Sequence, residues 1–144
     1  MIDTLGLRDA VEEMVRHYDA LQSQCRFEFQ SEGSMFSLKG ELAITAYRLI
    51  QEALSNVIKH SAATKAMVHV HLIEDEKLLR ITVSDNGTGF DAGTIEPGIG
   101  LIGMRERVDG LGGQLEIHTS INAGTVIESP VNVAHPGLNG AERN

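Results

Sequence analysis

Several kinds of residue are scarce in this chain, and each shortage excludes something. A single cysteine, Cys25, rules out an internal disulfide and suits a reducing compartment, and it reads as a packing or surface residue and not a nucleophile. Basic side chains are outnumbered, 12 Lys and Arg against 20 Asp and Glu, and the net charge of −8 argues against binding nucleic acid or anionic lipid except at a local basic pocket. No apolar run approaches the roughly 18 residues of a membrane span, and Met1 to Arg8 has no signal-peptide character. These shortages point to a cytoplasmic chain with no membrane contact of its own.

What is present is ordinary in amount and ordered in pattern. A length of 144 residues suits one domain with one core, and 42% hydrophobic with 22% charged residues is typical of a globular protein. In "LRDAVEEMVRHYDAL" the residues Leu7, Ala10, Val11, Met14, Val15, Tyr18 and Leu21 recur at spacings of three and four, which predicts one buried stripe of a helix. "RFEFQSEG" alternates, with Phe27 and Phe29 on one face, and reads as a short strand ending at Gly33. The longest periodic segment, "ELAITAYRLIQEALSNVIKHS", predicts a second helix with Leu42, Ala46, Leu49, Ile50, Ala53 and Val57 inside. "KAMVHVHLI" and "LLRITVSD" alternate around the polar turn "EDEK" and read as a hairpin.

A glycine-rich stretch follows, then a helix from Leu101 to Leu111, then the strands "QLEIHTS" and "TVIESPVNV" around "INAG". Pro130 interrupts the last strand and implies a sheet edge or a strand end. This order predicts an α+β fold, a two-layer sandwich in which about three helices cover one face of a mixed, mostly antiparallel sheet. Residues 1–133 make the domain, and 134–144, rich in Pro, Gly, Asn and charge, make a frayed tail.

The chemistry begins on the second helix. Glu52 and Asn56 are four residues apart and project from one face, and such an oxygen pair suits Mg2+, which keeps waters and takes most other ligands from substrate phosphates. Lys59 and His60 follow, where positive charge complements the helix dipole. Taken alone, these four residues also read as a polar helix face. Asp85, Gly87 and Gly89 form a DxGxG at the end of the hairpin: the carboxylate can accept a hydrogen bond from an exocyclic amine, and the glycines let backbone pass close to a flat ring. A plain turn explains the same three residues equally well. Gly98, Gly100 and Gly103 open the next helix, where free N–H groups favour an anion such as polyphosphate. This is not a dinucleotide fingerprint, since no strand directly precedes it, and there is no Walker A loop. His69 and His71 share one strand face at metal-like spacing, but with no third ligand evident they read as a solvated face.

Taken together, "RLIQEALSNVIKHS", "DNGTGF", "GIGLIGMRERVDGLGGQLEIHTS" and "NAGTVI" resemble the conserved boxes of the ATP-binding catalytic domain of bacterial sensor histidine kinases, within the nitrate-sensor and DesK-like subfamily. The resemblance runs from about Thr4 to Val133 and implies the Bergerat ATP-binding fold shared with gyrase, the Hsp90 chaperones and MutL. It further implies that Asp85 receives the adenine amino group with support from Thr125, and that Gly87 and Gly89 border the ring. Asn56 would hold Mg2+ against the phosphates, with Lys59 and His60 beside them. Gly98, Gly100 and Leu101 would supply the backbone that closes on the triphosphate. Arg105 and Arg107 read equally well as surface salt-bridge partners or as phosphate contacts.

The resemblance also implies a phosphotransferase whose cofactors are ATP and Mg2+, and whose partners are a dimerisation and phosphoacceptor domain and, indirectly, a response regulator with a helix-turn-helix output. No acceptor-histidine helix of the E-x-x-R-x-x-H-[DE] type is present, and "MIDTLGL" resembles the junction that follows the family's dimerisation helices. The chain is therefore expected to be the separated catalytic half of a longer kinase, monomeric and inactive without its acceptor domain. Glu52 is a candidate catalytic or water-positioning acid. A nucleotide-sensing binding module and a gyrase-like ATPase using Glu52 are the alternatives.

Overall fold

The computed structural model describes residues 2–21, 24–33, 40–73, 77–87, 101–110, 113–119 and 125–132. Helix α1 (Ile2–Leu21) and strand β1 (Arg26–Glu32) come first, then α2 (Gly40–Asn56), which runs into a π-helical turn, Val57–Ser61. Strands β2 (Lys65–Ile73) and β3 (Leu78–Asp85) precede α3 (Leu101–Gly110), β4 (Glu116–Thr119) and β5 (Thr125–Asn132).

The five strands form one sheet in the order β1-β2-β3-β5-β4. Among the described residues only the β1–β2 pair is parallel; β2–β3, β3–β5 and β4–β5 are antiparallel. A parallel pair cannot be closed by a tight turn, and here α2 makes the crossover between its two strands. The expected α+β architecture with a mixed, mostly antiparallel sheet is what the structure shows.

Period-two alternation decides which face of the sheet is dry. On β2 the residues Ala66, Val68, Val70 and Leu72 are buried while their neighbours are half-buried, and on β3 Leu79, Ile81 and Val83 continue the dry face. Against it pack Leu42, Ala46, Leu49, Ile50, Ala53 and Val57 of the α2 segment, all predicted to be inside, with Leu7, Val11, Met14 and Val15 of α1 and Val108 of α3. Burial of this apolar surface, at about 25 cal/mol per Å2, is the main force holding helices to sheet.

Two glycines shape the frame. Gly6 (φ 80°) breaks α1 into a short N-terminal turn and the helix proper, which begins at Leu7 as its periodicity predicts. Gly33 (φ 90°) ends β1 where a Cβ would lie 2.6 Å from the Leu72 carbonyl oxygen, so no other residue fits there without displacing β2.

Two features differ from the sequence expectations. Leu21, placed on the buried stripe of α1, is 61% exposed and is the last residue of the helix. The second helix is not uniform: α-helical hydrogen bonding stops at Asn56 and a wider π turn carries Lys59. Pro130, expected at a sheet edge or a strand end, lies two residues before Asn132, the last residue of β5. It sits beyond the last β4 pair, Glu116↔Glu128, where a missing N–H costs the β4 ladder nothing. The proposed tail, 134–144, lies outside the described residues.

Candidate nucleotide-binding site

Asp85 is placed by the same alternation that builds the core. Leu79, Ile81 and Val83 point into the dry face of β3, and Asp85 is the next residue in that phase, so the strand delivers a carboxylate to the rim of the core on the helix side. It stands between two strands, with Ala66 of β2 and Thr125 of β5 as its Cα partners. The two residues that the sequence assigned to one adenine contact, 40 positions apart in the chain, are thus brought directly opposite each other.

The carboxylate is half-buried, and its Oδ1 accepts a hydrogen bond from the Gly87 N–H at 2.7 Å. Burial pushes the Asp85 acid above the ordinary carboxylate value, and the Gly87 N–H pulls in the opposite direction. That bond fixes the side-chain rotamer and leaves the second oxygen as the natural acceptor for a ligand. The buried Cys25 thiol is pushed up first by its own burial and then by the charges of Asp85 and Asp19, so it is a packing residue and not an activated thiol.

The turn after Asp85 is held by a side chain that the sequence reading passed over as part of a generic turn. Asn86 Oδ1 accepts from the N–H groups of Thr64 (2.9 Å) and Lys65 (3.0 Å), and its Nδ2 donates to Thr64 Oγ1 (2.9 Å). Its own backbone N–H donates to the Lys65 carbonyl at 3.2 Å. Asn-Gly after a strand signals a turn, but these partners lie 21 and 22 residues upstream and have no sequence signature.

The end of α2 is built differently. Glu52 and Asn56 sit one helical turn apart on the same side, both half-buried, and Asn56 closes the α-helical segment. The Asn56 Nδ2 is buried and, among the described residues, has no hydrogen-bond partner. An unpaired buried amide is expensive, and since an amide's two ends are interchangeable in shape, the same position can present an oxygen to a hard cation. The donor chemistry at Asn56 therefore fits Mg2+. Lys59 is exposed on the π turn, a helix distortion often found at functional sites. The backbone of His60 lies in the same turn.

Not every predicted residue can be placed. Gly89, Gly98 and Gly100 lie outside the described residues; Leu101 is the first residue of α3. Arg105 is exposed on α3, which closes at its C-terminal end with a bond from the Gly113 N–H to the Val108 carbonyl at 2.9 Å.

On the far face of the sheet, His69 and His71 lie in a solvated row, as expected. Glu32 Oε1 is 2.7 Å from His69 Nε2 and 3.9 Å from His71 Nδ1, a neighbour that the sequence did not reveal. Among the described residues, no three such side chains are arranged to hold a metal ion.

With this geometry established, the comparisons converge. Residues 41–134 match the profile of the histidine kinase-, DNA gyrase B- and HSP90-like ATPases, and the chain belongs to that family. Its curated relatives are sensor histidine kinases. It is 36% identical over 127 residues to the signal transduction histidine-protein kinase/phosphatase DegS of Brevibacillus brevis, covering 88% of this chain and 32% of that protein. It is 37% identical over 131 residues to the sensor histidine kinase MctS of Rhizobium johnstonii, covering 88% of this chain and 28% of that protein. The chain thus spans about a third of the length of these relatives. The histidine kinase domain of the Erythrobacter litoralis EL346 blue-light activated histidine kinase superposes with a TM-score of 0.75 at 20% identity, over 95% of this chain and 66% of that one, which supports the Bergerat fold. No helix among the described residues is long and apolar enough to cross a membrane.

Proposed function

We propose that this chain binds Mg-ATP between the end of α2 and the Asp85 turn, and presents its γ-phosphoryl group to a histidine of a dimerisation and phosphoacceptor domain that the chain does not contain. The observation that carries the reading is the Asp85 arrangement: a half-buried carboxylate with one oxygen tied to the Gly87 N–H, set opposite Thr125 in the β3–β5 ladder. Such a group selects a ring bearing an exocyclic amine, because its free oxygen can only accept.

Asp85 holds the adenine amino group, with Thr125 as its neighbour and Gly87 and Gly89 against the ring plane. Asn56 is the Mg2+ ligand, with Lys59 and His60 near the phosphate chain. Gly98, Gly100 and the start of α3 at Leu101 give the pliable backbone that closes over the phosphates. When bound, Mg2+ supplies charge neutralisation on the phosphate oxygens. The chain's own part is positioning: the triphosphate is held so that an imidazole nitrogen attacks the γ-phosphorus in line, and the bond to the β–γ bridging oxygen breaks as ADP leaves. Residues 1–133 form the working unit and 134–144 its tail, in the cytoplasmic part of a longer kinase that passes its phosphoryl group on to a response regulator.

Mixing the chain with a separate acceptor domain and labelled ATP tests this directly. Phosphohistidine on the acceptor domain is the expected product. Steady phosphate release without that domain would instead favour a hydrolase using Glu52, which lies half-buried one turn before Asn56. Nucleotide binding with neither product would leave a sensing module.

A further inference from the structure

The side chain of Asn86 does more than close a turn. The β2–β3 ladder ends at the pair Ala66↔Asp85, and the β3–β5 ladder ends at Asp85↔Thr125, so regular pairing stops at the residue that carries the carboxylate. Strand ends fray, and a carboxylate on a frayed end cannot discriminate one base from another. One residue further on, Asn86 turns out of the dry face and joins the segment that enters β2 through three side-chain hydrogen bonds of 2.9, 3.0 and 2.9 Å. Its backbone N–H adds a bond to the Lys65 carbonyl at 3.2 Å. The segment it grips is itself anchored, because the Thr64 carbonyl accepts from the Arg26 N–H of β1 at 2.9 Å.

The same segment is the exit of the π turn. Ala62, in the left-handed region at φ 51°, follows Ser61 directly and leads through Ala63 to Thr64. The clamp therefore joins the strand end bearing Asp85 to the chain that leaves Asn56 and Lys59.

We infer that Asn86 is a positioning residue for base selection: by clamping the Asp85–Gly87 turn to Thr64 and Lys65 it holds the Asp85 carboxylate in the one orientation that distinguishes a 6-amino purine from a 6-oxo purine. The inference rests on the adenine role proposed for Asp85. Asn86 touches no nucleotide in this account and acts only through its neighbour.

The test compares ATP with ITP, which carries an oxygen where adenine carries the amine, by calorimetry on the whole 144-residue chain with Mg2+ present. The wild-type chain should prefer ATP by about a hundredfold, as expected where a charged acceptor meets a donor in one ligand and an oxygen in the other. Asp85→Ala should abolish the preference. Asn86→Ala should cut it to about tenfold or less, while Asn86→Asp, which keeps the acceptor for both backbone N–H groups, should restore most of it.

A purely structural role would weaken ATP and ITP alike and leave their ratio unmoved. An unmoved ratio in Asn86→Ala, with the preference lost in Asp85→Ala, overturns this inference and spares the adenine assignment. Equal binding of the two nucleotides by the wild-type chain overturns the assignment and the inference together. Should Asn86→Ala fail to fold, Thr64→Val carries the test, since it removes only the bond donated by Asn86 Nδ2. It should lower the ratio about threefold, and an unchanged ratio there contradicts the clamp.

Discussion

The two halves of the candidate site differ in how completely the protein satisfies its own polar groups. At the strand end, Asp85 and Asn86 are tied by hydrogen bonds to Gly87, Thr64 and Lys65. At the helix end, Asn56 holds a buried amide nitrogen with no partner among the described residues, next to a π turn. On the proposed reading, base recognition needs a fixed acceptor, which Asp85 would offer in advance. Phosphate and cation recognition would be left to the ligand, which would supply the missing partners on arrival. Substitutions on the two sides should therefore behave differently, in ligand affinity and in stability.

The largest effect is expected at the fixed side. Asp85→Ala removes the carboxylate proposed to read the base, and nucleotide affinity should fall about ten- to a hundredfold, the range of a hydrogen bond to a charged acceptor. Titration calorimetry checks it, and an unchanged affinity would break the comparison at its root.

The sharpest contrast is between the two asparagines. Asn86→Ala removes three side-chain hydrogen bonds and should lower unfolding free energy by about 1–2 kcal/mol, partly offset because the site is exposed. Asn56→Ala removes an amide whose burial already carries a cost, and should leave stability unchanged or raise it by about 1 kcal/mol, while reducing the Mg2+-dependent part of ATP affinity. Urea denaturation of both variants, with binding measured with and without Mg2+, reads out the pair. Equal stability losses would show that the helix end is as satisfied as the strand end.

A smaller effect concerns pH. Burial raises the Asp85 acid above its unfolded value, so between the two values the folded chain binds more protons than the unfolded chain, and this group's contribution to stability falls as pH rises through that window. Asp85→Asn keeps an acceptor for the Gly87 N–H and removes the charge. It should melt slightly higher than wild type at neutral pH, and the gain should vanish in acid below the ordinary carboxylate value. A gain that grows in acid would contradict the sign.

The smallest effect is expected far from the site. His69 and Glu32 are both partly exposed, and His69→Ala should change stability by no more than about 1 kcal/mol and leave nucleotide binding alone.

Sequence periodicity made much of this fold legible. Helix-spaced Leu42, Ala46, Leu49, Ile50, Ala53 and Val57 and the alternation on β2 and β3 each have a single physical solution, a dry face against a dry face, and the structure adopts it. The strand register sets Asp85 opposite Thr125, a pairing that the sequence reading did not state. What else escaped was of other kinds. The grip of Asn86 on Thr64 and Lys65 depends on a contact between segments more than 20 residues apart, which no local pattern encodes. The π turn at Val57 keeps the same apolar spacing as an α-helix until it has begun, so periodicity did not announce it. Leu21 misled because it keeps the apolar spacing of the stripe although it is the last residue of the helix, where it is exposed.

The most direct test of the central claim is calorimetric titration of the whole chain with a non-hydrolysable ATP analogue at saturating Mg2+, run beside Asp85→Ala. A saturable heat for the wild-type chain that is lost or strongly weakened in the variant is the predicted result. No heat from the wild-type chain at millimolar nucleotide, or the same heat from both proteins, would contradict it.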